Sequence, residues 1–236
     1  MIDRQARNKM ASALRSYMDE EITAFQLDEV LNRISEATKD ETVKDISFIL
    51  YFYYDDIENH KIVASKEEWN YFNRLLLLLE SDGEYECINH RTLWHPRQAV
   101  AAVCLGIFCG LAVYTGFGAH LLIYAIPFGF VSMAISWWGD HVNRRRYTAD
   151  RVITPFPSVN SIIAVRRRVP GFRKRQYPKK LARRQIRGWL SAATLRLNGD
   201  VIWLILAPLI LLFQMLPERD CDIVIKMPEK IGAADD

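Results

Sequence analysis

Charged side chains are absent from the middle of this chain: no Asp, Glu, Lys or Arg lies between Arg97 and Asp140. The gap contains two apolar segments, residues 99–117 and 119–138, which meet at a Gly-Phe-Gly corner. Each segment has roughly the 20 residues that an α-helix needs to cross the hydrocarbon core of a bilayer. The pattern predicts a transmembrane hairpin over residues 96–140 and excludes a charged substrate site or proton relay at mid-depth.

Cysteine is also sparse, with four residues in the chain, and its spacing predicts no disulfide framework. Cys87, His90 and His95 are of the residue types that bind zinc, but no fourth ligand completes a tetrahedral site, so we predict no metal and no cofactor. No nucleophile, base and orienting group can be placed together, which argues against an enzyme. The N-terminus lacks the apolar core of a signal peptide, so we expect it to stay in the cytoplasm.

The charges that are present fall into two opposed blocks. Residues 1–97 hold 19 Asp and Glu against 12 Lys and Arg, a balance of −7, whereas residues 141–199 hold 16 Lys and Arg against one Asp, or +15. The turn at residues 116–118 carries no positive charge, but Arg144, Arg145 and Arg146 follow the second segment. The positive-inside tendency therefore predicts a cytoplasmic N-terminus. We expect the membrane to be a bacterial inner membrane.

Helical periodicity and capping signals dominate the front part of the chain. Two capping boxes, Thr23 to Gln26 and Ser65 to Glu68, precede apolar residues at helical spacing. A third, aromatic helix is predicted over residues 43–57. We expect an all-α fold in which residues 1–95 form an acidic cytosolic helical domain. Because fewer than 100 residues bury only a thin core, this domain should need support from neighbours or from the membrane-proximal part.

Small residues recur along both predicted spans. Such residues let helix backbones approach closely in lipid, so we predict that they pack helices within the hairpin or between protomers of a homo-oligomer. The candidates are Ala102, Gly106, Gly110, Ala125 and Gly129. An assembled pore could be lined by the hydroxyl-bearing residues of the same spans, although these groups could equally form bonds between helices. They are Tyr114, Thr115, Tyr124, Ser132 and Ser136.

The basic block, residues 141–200, is typical of a segment that lies in the membrane interface. Between Pro178 and Leu197 apolar residues recur at helical spacing among cations, which predicts one amphipathic helix. We expect anionic lipids as its main partner, with the acidic front domain and nucleic acid as alternatives. The predicted head-group ligands are Arg144, Arg145, Arg146, Lys179, Lys180, Arg183, Arg184 and Arg187. The predicted interface anchors are Trp94, Trp137, Trp138 and Trp189.

A third predicted membrane segment, residues 201–217, contains the apolar run of residues 201–216, which is only about 24 Å long as a helix and so shorter than the roughly 30 Å hydrocarbon core. Pro208 lies in its middle, and Asp200 is a candidate N-cap. The run predicts either a third span, with the acidic tail of residues 218–236 outside, or a re-entrant helix that does not cross.

The sequence therefore predicts a self-associating membrane protein. Its cytosolic domain would sense or dock a partner protein, and its membrane helices would form a pore or a membrane-perturbing assembly. In architecture alone this is similar to small membrane effectors of bacterial defence systems, without a shared residue motif. The alternative is a passive anchor or scaffold that recruits a cytosolic partner.

Overall fold

The computed structural model describes residues 2–55, 57–90, 94–217 and 220–227, and for residues 89, 90, 143–152, 189, 220 and 221 it describes the backbone alone. Most of this part of the chain is helical, as predicted. In chain order the elements are α1 (Arg4–Met18), α2 (Ala24–Ala37), α3 (Glu41–Tyr51), α4 (Lys66–Glu80), β1 (Glu84–His90), α5 (Pro96–Thr115), α6 (His120–Ile153), α7 (Val159–Arg168), a 3-10 helix (Lys179–Arg183), α8 (Trp189–Ile205), α9 (Ala207–Gln214) and β2 (Asp220–Lys226).

These elements form two compact units. Unit 1 combines Met1–Ile88, Ala149–Ile186 and Asp222–Asp236, so three separate stretches of sequence build one body. Unit 2 combines Asn89–Thr148 and Arg187–Cys221. The basic block, which the charge pattern set apart as a region of its own, is thus divided between the two units.

The two predicted capping boxes begin helices of unit 1, and both are confirmed. The backbone N–H of Thr23 donates to the side-chain oxygen of Gln26 over 2.9 Å at the start of α2. At the start of α4, Ser65 and Glu68 bond reciprocally, over 2.6 and 3.2 Å. Each box satisfies backbone donors that have no partner within the helix, which fixes where the helix begins.

The core of unit 1 lies between α1, α2, α3 and α4, and it draws on later parts of the chain. Phe156, Val165 and Leu181 are buried in the same cluster as Leu14, Leu31, Ile46 and Phe72. Ile225 and Met227 pack against it from the C-terminal side. Apolar residues far away in sequence therefore complete the core of the front part of the chain.

A buried ion pair joins three elements of unit 1. Arg7 on α1 is fully buried, and its Nε donates to Oδ2 of Asp40, the N-cap of α3, over 2.6 Å. Its Nη1 donates to the carbonyls of Ser81 and Gly83, which follow α4, over 3.1 and 2.6 Å. Burial by itself would raise the pKa of Asp40, but hydrogen bonds from Arg7 and from backbone N–H groups outweigh it and lower the pKa.

Two strands depart from the predicted all-α fold. β1 and β2 pair as a two-stranded sheet, so part of the segment interpreted as an acidic tail is a strand. The run Ile223-Val224-Ile225 explains this, because β-branched side chains favour extended backbone and Ile225 has the core of unit 1 to pack against.

Cys87 on β1 is disulfide-bonded, whereas the sequence predicted no disulfide. Cys87 is therefore not a free thiolate that could bind zinc.

Unit 2 contains the two helices that are long and apolar enough to cross a membrane, Pro96–Thr115 and His120–Val142. Gly116 ends the first with a φ of 80°, a left-handed conformation that glycine adopts at little cost. The second continues beyond the predicted end at Trp138 and belongs to α6, which reaches Ile153. α8 and α9 follow one another with a bend of 81° around Leu206.

Candidate functional site

Within unit 2, polar side chains meet where α6, α8 and α9 pack. Ser132 of α6 is fully buried, and its hydroxyl donates to Oε1 of Gln214 on α9 over 3.0 Å. Nε2 of Gln214 donates to the hydroxyl of Ser136 and to the carbonyl of Ser132. Nε1 of Trp203 on α8 donates to the Ser132 hydroxyl over 3.1 Å. The cluster links three helices through neutral hydrogen bonds, which suits a setting where an unsatisfied polar group is costly.

A second contact of this kind lies at the start of α5. Gln98 is buried, and its Nε2 donates to the carbonyl of Leu216, just after α9, over 2.9 Å. Its Oε1 accepts from the backbone N–H of His95. Leu211 of α9 packs with Ala101 of α5 and Ile135 of α6. α9 is therefore held against both spans.

The predicted small-residue stripes play different parts in the two spans. Ala125 and Gly129 are buried on α6, and a Cβ on Gly129 would lie 2.8 Å from the Cα of Leu204. That approach requires glycine. A Cβ on Gly106 or Gly110 of α5 would meet nothing within 4 Å, and both residues are exposed. Ala102 is half-buried. The α6 stripe thus packs inside the chain, whereas the Gly106 and Gly110 face is open.

The residues predicted to line a pore are not brought together. Ser132 and Ser136 belong to the internal cluster. Tyr114, Thr115 and Tyr124 lie near the turn between the spans and are exposed. The Thr115 hydroxyl donates to the carbonyl of Leu111 over 2.9 Å. Within one chain, the described residues place no hydroxyl-lined path along the spans.

The predicted interface anchors flank the spans. Trp94 precedes α5, and Trp137 and Trp138 lie near the end of the second span; all three are exposed. The ring of Trp137 stacks on His141 with 5.8 Å between centroids. The side chains of Trp189 and of Arg144, Arg145 and Arg146 lie outside the described part of the chain.

The predicted amphipathic helix from Pro178 to Leu197 is not observed. Lys179–Arg183 is a 3-10 turn, residues 184–188 are not helical, and residues 189–197 are the start of α8, which begins at Trp189. Asp200 therefore lies inside α8 and not at its N-cap. Contacts with the rest of unit 1 outweigh helix propensity in this segment. Leu181 is buried in the core, and Nη1 of Arg184 donates to the carbonyl of Ile62 over 3.0 Å.

We call residues 173–184 the basic strap, because they run across unit 1 and pair with its acidic residues. Arg175 pairs with Asp19, and its backbone N–H donates to Oδ1 of Asn73 over 2.8 Å. Glu20 accepts from Lys180 over 2.7 Å and from Arg184 over 3.1 Å. The hydrogen bond from Lys180, assisted by Arg184, lowers the pKa of Glu20 despite some desolvation.

This pairing divides the cations that were predicted to bind lipid head groups. Lys180 and Arg184 are engaged by Glu20, and Arg187 is half-buried with an interaction of its own. Lys179 and Arg183 are exposed, as are six further cations of the described part of the basic block that the prediction did not include: Arg166, Arg167, Arg168, Arg173, Lys174 and Arg196.

Sequence reasoning missed an exposed aromatic face on unit 1. Phe48 lies on α3 and Phe52 directly follows it, and each side chain is about two-thirds exposed. Their rings pack edge to face with 5.1 Å between centroids. Tyr51 lies beside them. The face borders a groove of about 500 Å³ between α2 and α3, lined by Asp28, Asn32, Ser35, Glu36, Lys44, Ser47, Phe48 and Tyr51. The aromatic run was visible in the sequence, but its spacing does not tell which rings point outward.

Comparison with protein-family models, with curated proteins and with solved structures finds no match for this chain. The functional argument therefore depends on geometry alone.

Proposed function

We propose that this protein is an integral membrane protein that self-associates through α5 and holds a partner protein at the membrane surface through unit 1. The observation that carries the proposal is the contrast between two small-residue faces. Leu204 occupies the space beside Gly129, whereas Gly106 and Gly110 form a flat surface with no neighbour in the chain. In lipid, a flat helix surface gains most from packing against another helix.

The test is crosslinking in mild detergent of wild type and of Gly106→Leu/Gly110→Leu. The added side chains would separate the helix backbones, so we expect loss of the higher species. Leu111→Phe is the matched control, because Leu111 is an exposed residue of the same helix that lies about 100° or more around the helix axis from both glycines. A wild-type protein that is monomeric across detergents and protein concentrations would contradict self-association.

For the orientation, we propose that unit 1 lies in the cytoplasm of a bacterial cell and that the 116–118 turn faces outward. The turn carries no Lys or Arg, and Arg144, Arg145 and Arg146 follow the second span. The disulfide at Cys87 is the opposing observation, because disulfides persist mainly in oxidising compartments. Labelling of Phe117→Cys from outside intact cells supports this orientation, and labelling only after permeabilisation reverses it.

Unit 1 would dock its partner through the aromatic face of α3. Large exposed apolar patches on a soluble surface mark interaction sites, and the bordering Asp28 and Glu36 favour a partner with basic residues. The exposed cations of the basic strap and α7 would meanwhile bind anionic lipid, each contributing about 1 kcal/mol near the surface.

Two outcomes of assembly remain to be separated by experiment: a pore or membrane-perturbing effector, and a scaffold. The internal bonds of Ser132 and Ser136 favour the scaffold, since those hydroxyls are already used. Dye leakage from cells that express the protein would establish the effector. Membranes that stay intact at the same expression level would instead support the scaffold function.

A further inference from the structure

The third apolar segment begins and ends in unit 1. The chain passes from Ile186 of unit 1 into α8 and α9, and returns to unit 1 at Asp222. On the entry side, the basic strap is bound to Asp19 and Glu20. On the exit side, β2 pairs with β1, and Lys226 pairs with Glu86. Both ends of α8–α9 are therefore connected along the chain to one compact body, which predicts that they lie on the same face of the membrane.

Contacts along the spans give the depth of the bend independently. Leu204, near the end of α8, packs on Gly129, which is 13 residues before Val142 and therefore about 20 Å from that end of the span. α9 then contacts Ser136, about 9 Å from the same end. Leu216 reaches Gln98, two residues into α5. Pro96 and Val142 mark the same side of the hairpin, so the chain goes in to about mid-depth and comes back.

We infer that α8–α9 is a re-entrant helix pair that enters and leaves the membrane on the face marked by Pro96 and Val142, and that it is not a third span. Its 81° bend at Leu206 is the turning point. The backbone at the bend keeps its hydrogen bonds, as lipid requires: the N–H of Leu206 donates to the carbonyl of Ile202, and the carbonyl of Leu206 accepts from the N–H of Ile210. Of the described elements, only the turn between α5 and α6 then reaches the opposite face.

The first experiment places one epitope at the N-terminus, one at the C-terminus and one inserted at Phe117, each in a separate full-length protein. Antibody access is compared in intact and permeabilised cells. We expect the two terminal epitopes to behave alike and the Phe117 epitope to behave oppositely. Terminal epitopes that behave differently from each other would overturn the inference. The comparison does not depend on which face is cytoplasmic, so an error in the proposed orientation would not be mistaken for an error here.

The second experiment tests the depth in a background where the free cysteines, Cys104 and Cys109, are replaced by Ala. Leu216→Cys is combined with Gln98→Cys in one protein and with Thr115→Cys in another. A crosslink within one chain for the Gln98 pair alone supports the return to the near face. A crosslink for the Thr115 pair instead would show that the segment crosses, and would overturn the inference.

Discussion

Unit 1 buries an ion pair, whereas the buried polar groups described between the helices of unit 2 are neutral. Arg7 and Asp40 are almost completely removed from water and are surrounded by further hydrogen bonds. Ser132, Gln214 and Trp203 perform the corresponding linking of three helices with uncharged groups. A domain in water can bury a charge if a partner offsets the cost of desolvation, whereas placing a charged side chain in lipid is costly in itself, so neutral groups are favoured there. The difference teaches that each unit is built for the solvent around it.

The largest expected effect comes from breaking the ion pair. Arg7→Met should lower the free energy of unfolding of unit 1 by about 3–5 kcal/mol, because it leaves the Asp40 carboxylate buried without its partner. Arg33→Met is the control, since Arg33 pairs with Glu29 on the surface and its loss should cost less than about 1 kcal/mol. Urea unfolding of the full-length protein in detergent gives both values. Equal effects of the two variants would show that burial does not strengthen the Arg7 pair.

The next largest loss of stability is expected at the close contact between Gly129 and Leu204 in unit 2. Gly129→Leu should destabilise the packing of α8 on α6 by about 1–3 kcal/mol, because the new side chain would overlap Leu204. The matched change on the open face of α5, Gly110→Leu, should leave the stability of the single chain nearly unchanged. Denaturation in sodium dodecyl sulfate, at a protein concentration where the chain is monomeric, measures the two. A larger loss for Gly110→Leu would mean that the two faces have been assigned the wrong way round.

Capping residues and long charge-free runs were sufficient to predict the starts of α2 and α4 and the two candidate spans. Their causes are local: a cap needs residues four positions apart or fewer, and a span needs only length and composition. β2 and the basic strap could not be predicted in this way. Each is stabilised by partners far away in sequence, β1 for β2 and Asp19 and Glu20 for the strap, and a helical period in the strap was overridden by these contacts.

The candidate site was predictable to a smaller extent. The small residues of both spans were recognised, but only the fold tells that Gly129 has a neighbour and Gly106 has none. Gln214 was missed, although a single Gln in an apolar run is a usable signal, because an amide in lipid needs hydrogen-bond partners. For its partners, Ser132 and Ser136, the sequence allows either pore lining or bonds between helices, and the structure shows bonds between helices.

A smaller effect is expected at this neutral cluster. Gln214→Leu keeps the approximate volume but removes three hydrogen bonds, and bonds between membrane helices contribute about 0.6 kcal/mol each, at most about 1.7. We therefore expect a loss well below that of Arg7→Met. Gln214→Glu sharpens the comparison, since a carboxylate at this position should be worse than Leu if the cluster lies in lipid. A Glu variant as stable as wild type would place the cluster in contact with water.

The smallest effect lies at the surface of unit 1, where Glu20 holds the strap. Because Lys180 and Arg184 lower the pKa of Glu20, its contribution is fully present above its ordinary value of about 4.5 and is lost as the pH falls through the lowered value. Glu20→Gln removes the charge but keeps the same left-handed backbone, at a φ of 64°, so it isolates the electrostatic part. The unfolding free energies of wild type and Glu20→Gln should differ by less than about 1 kcal/mol per ion pair at pH 7 and converge well below pH 4.5.

High salt should narrow the difference between the two proteins at pH 7, since exposed pairs are screened over about 8 to 10 Å. A difference that persists unchanged at low pH would show that Glu20 acts through its shape, and the strap would then be held by Leu181 and Arg175 without help from this carboxylate.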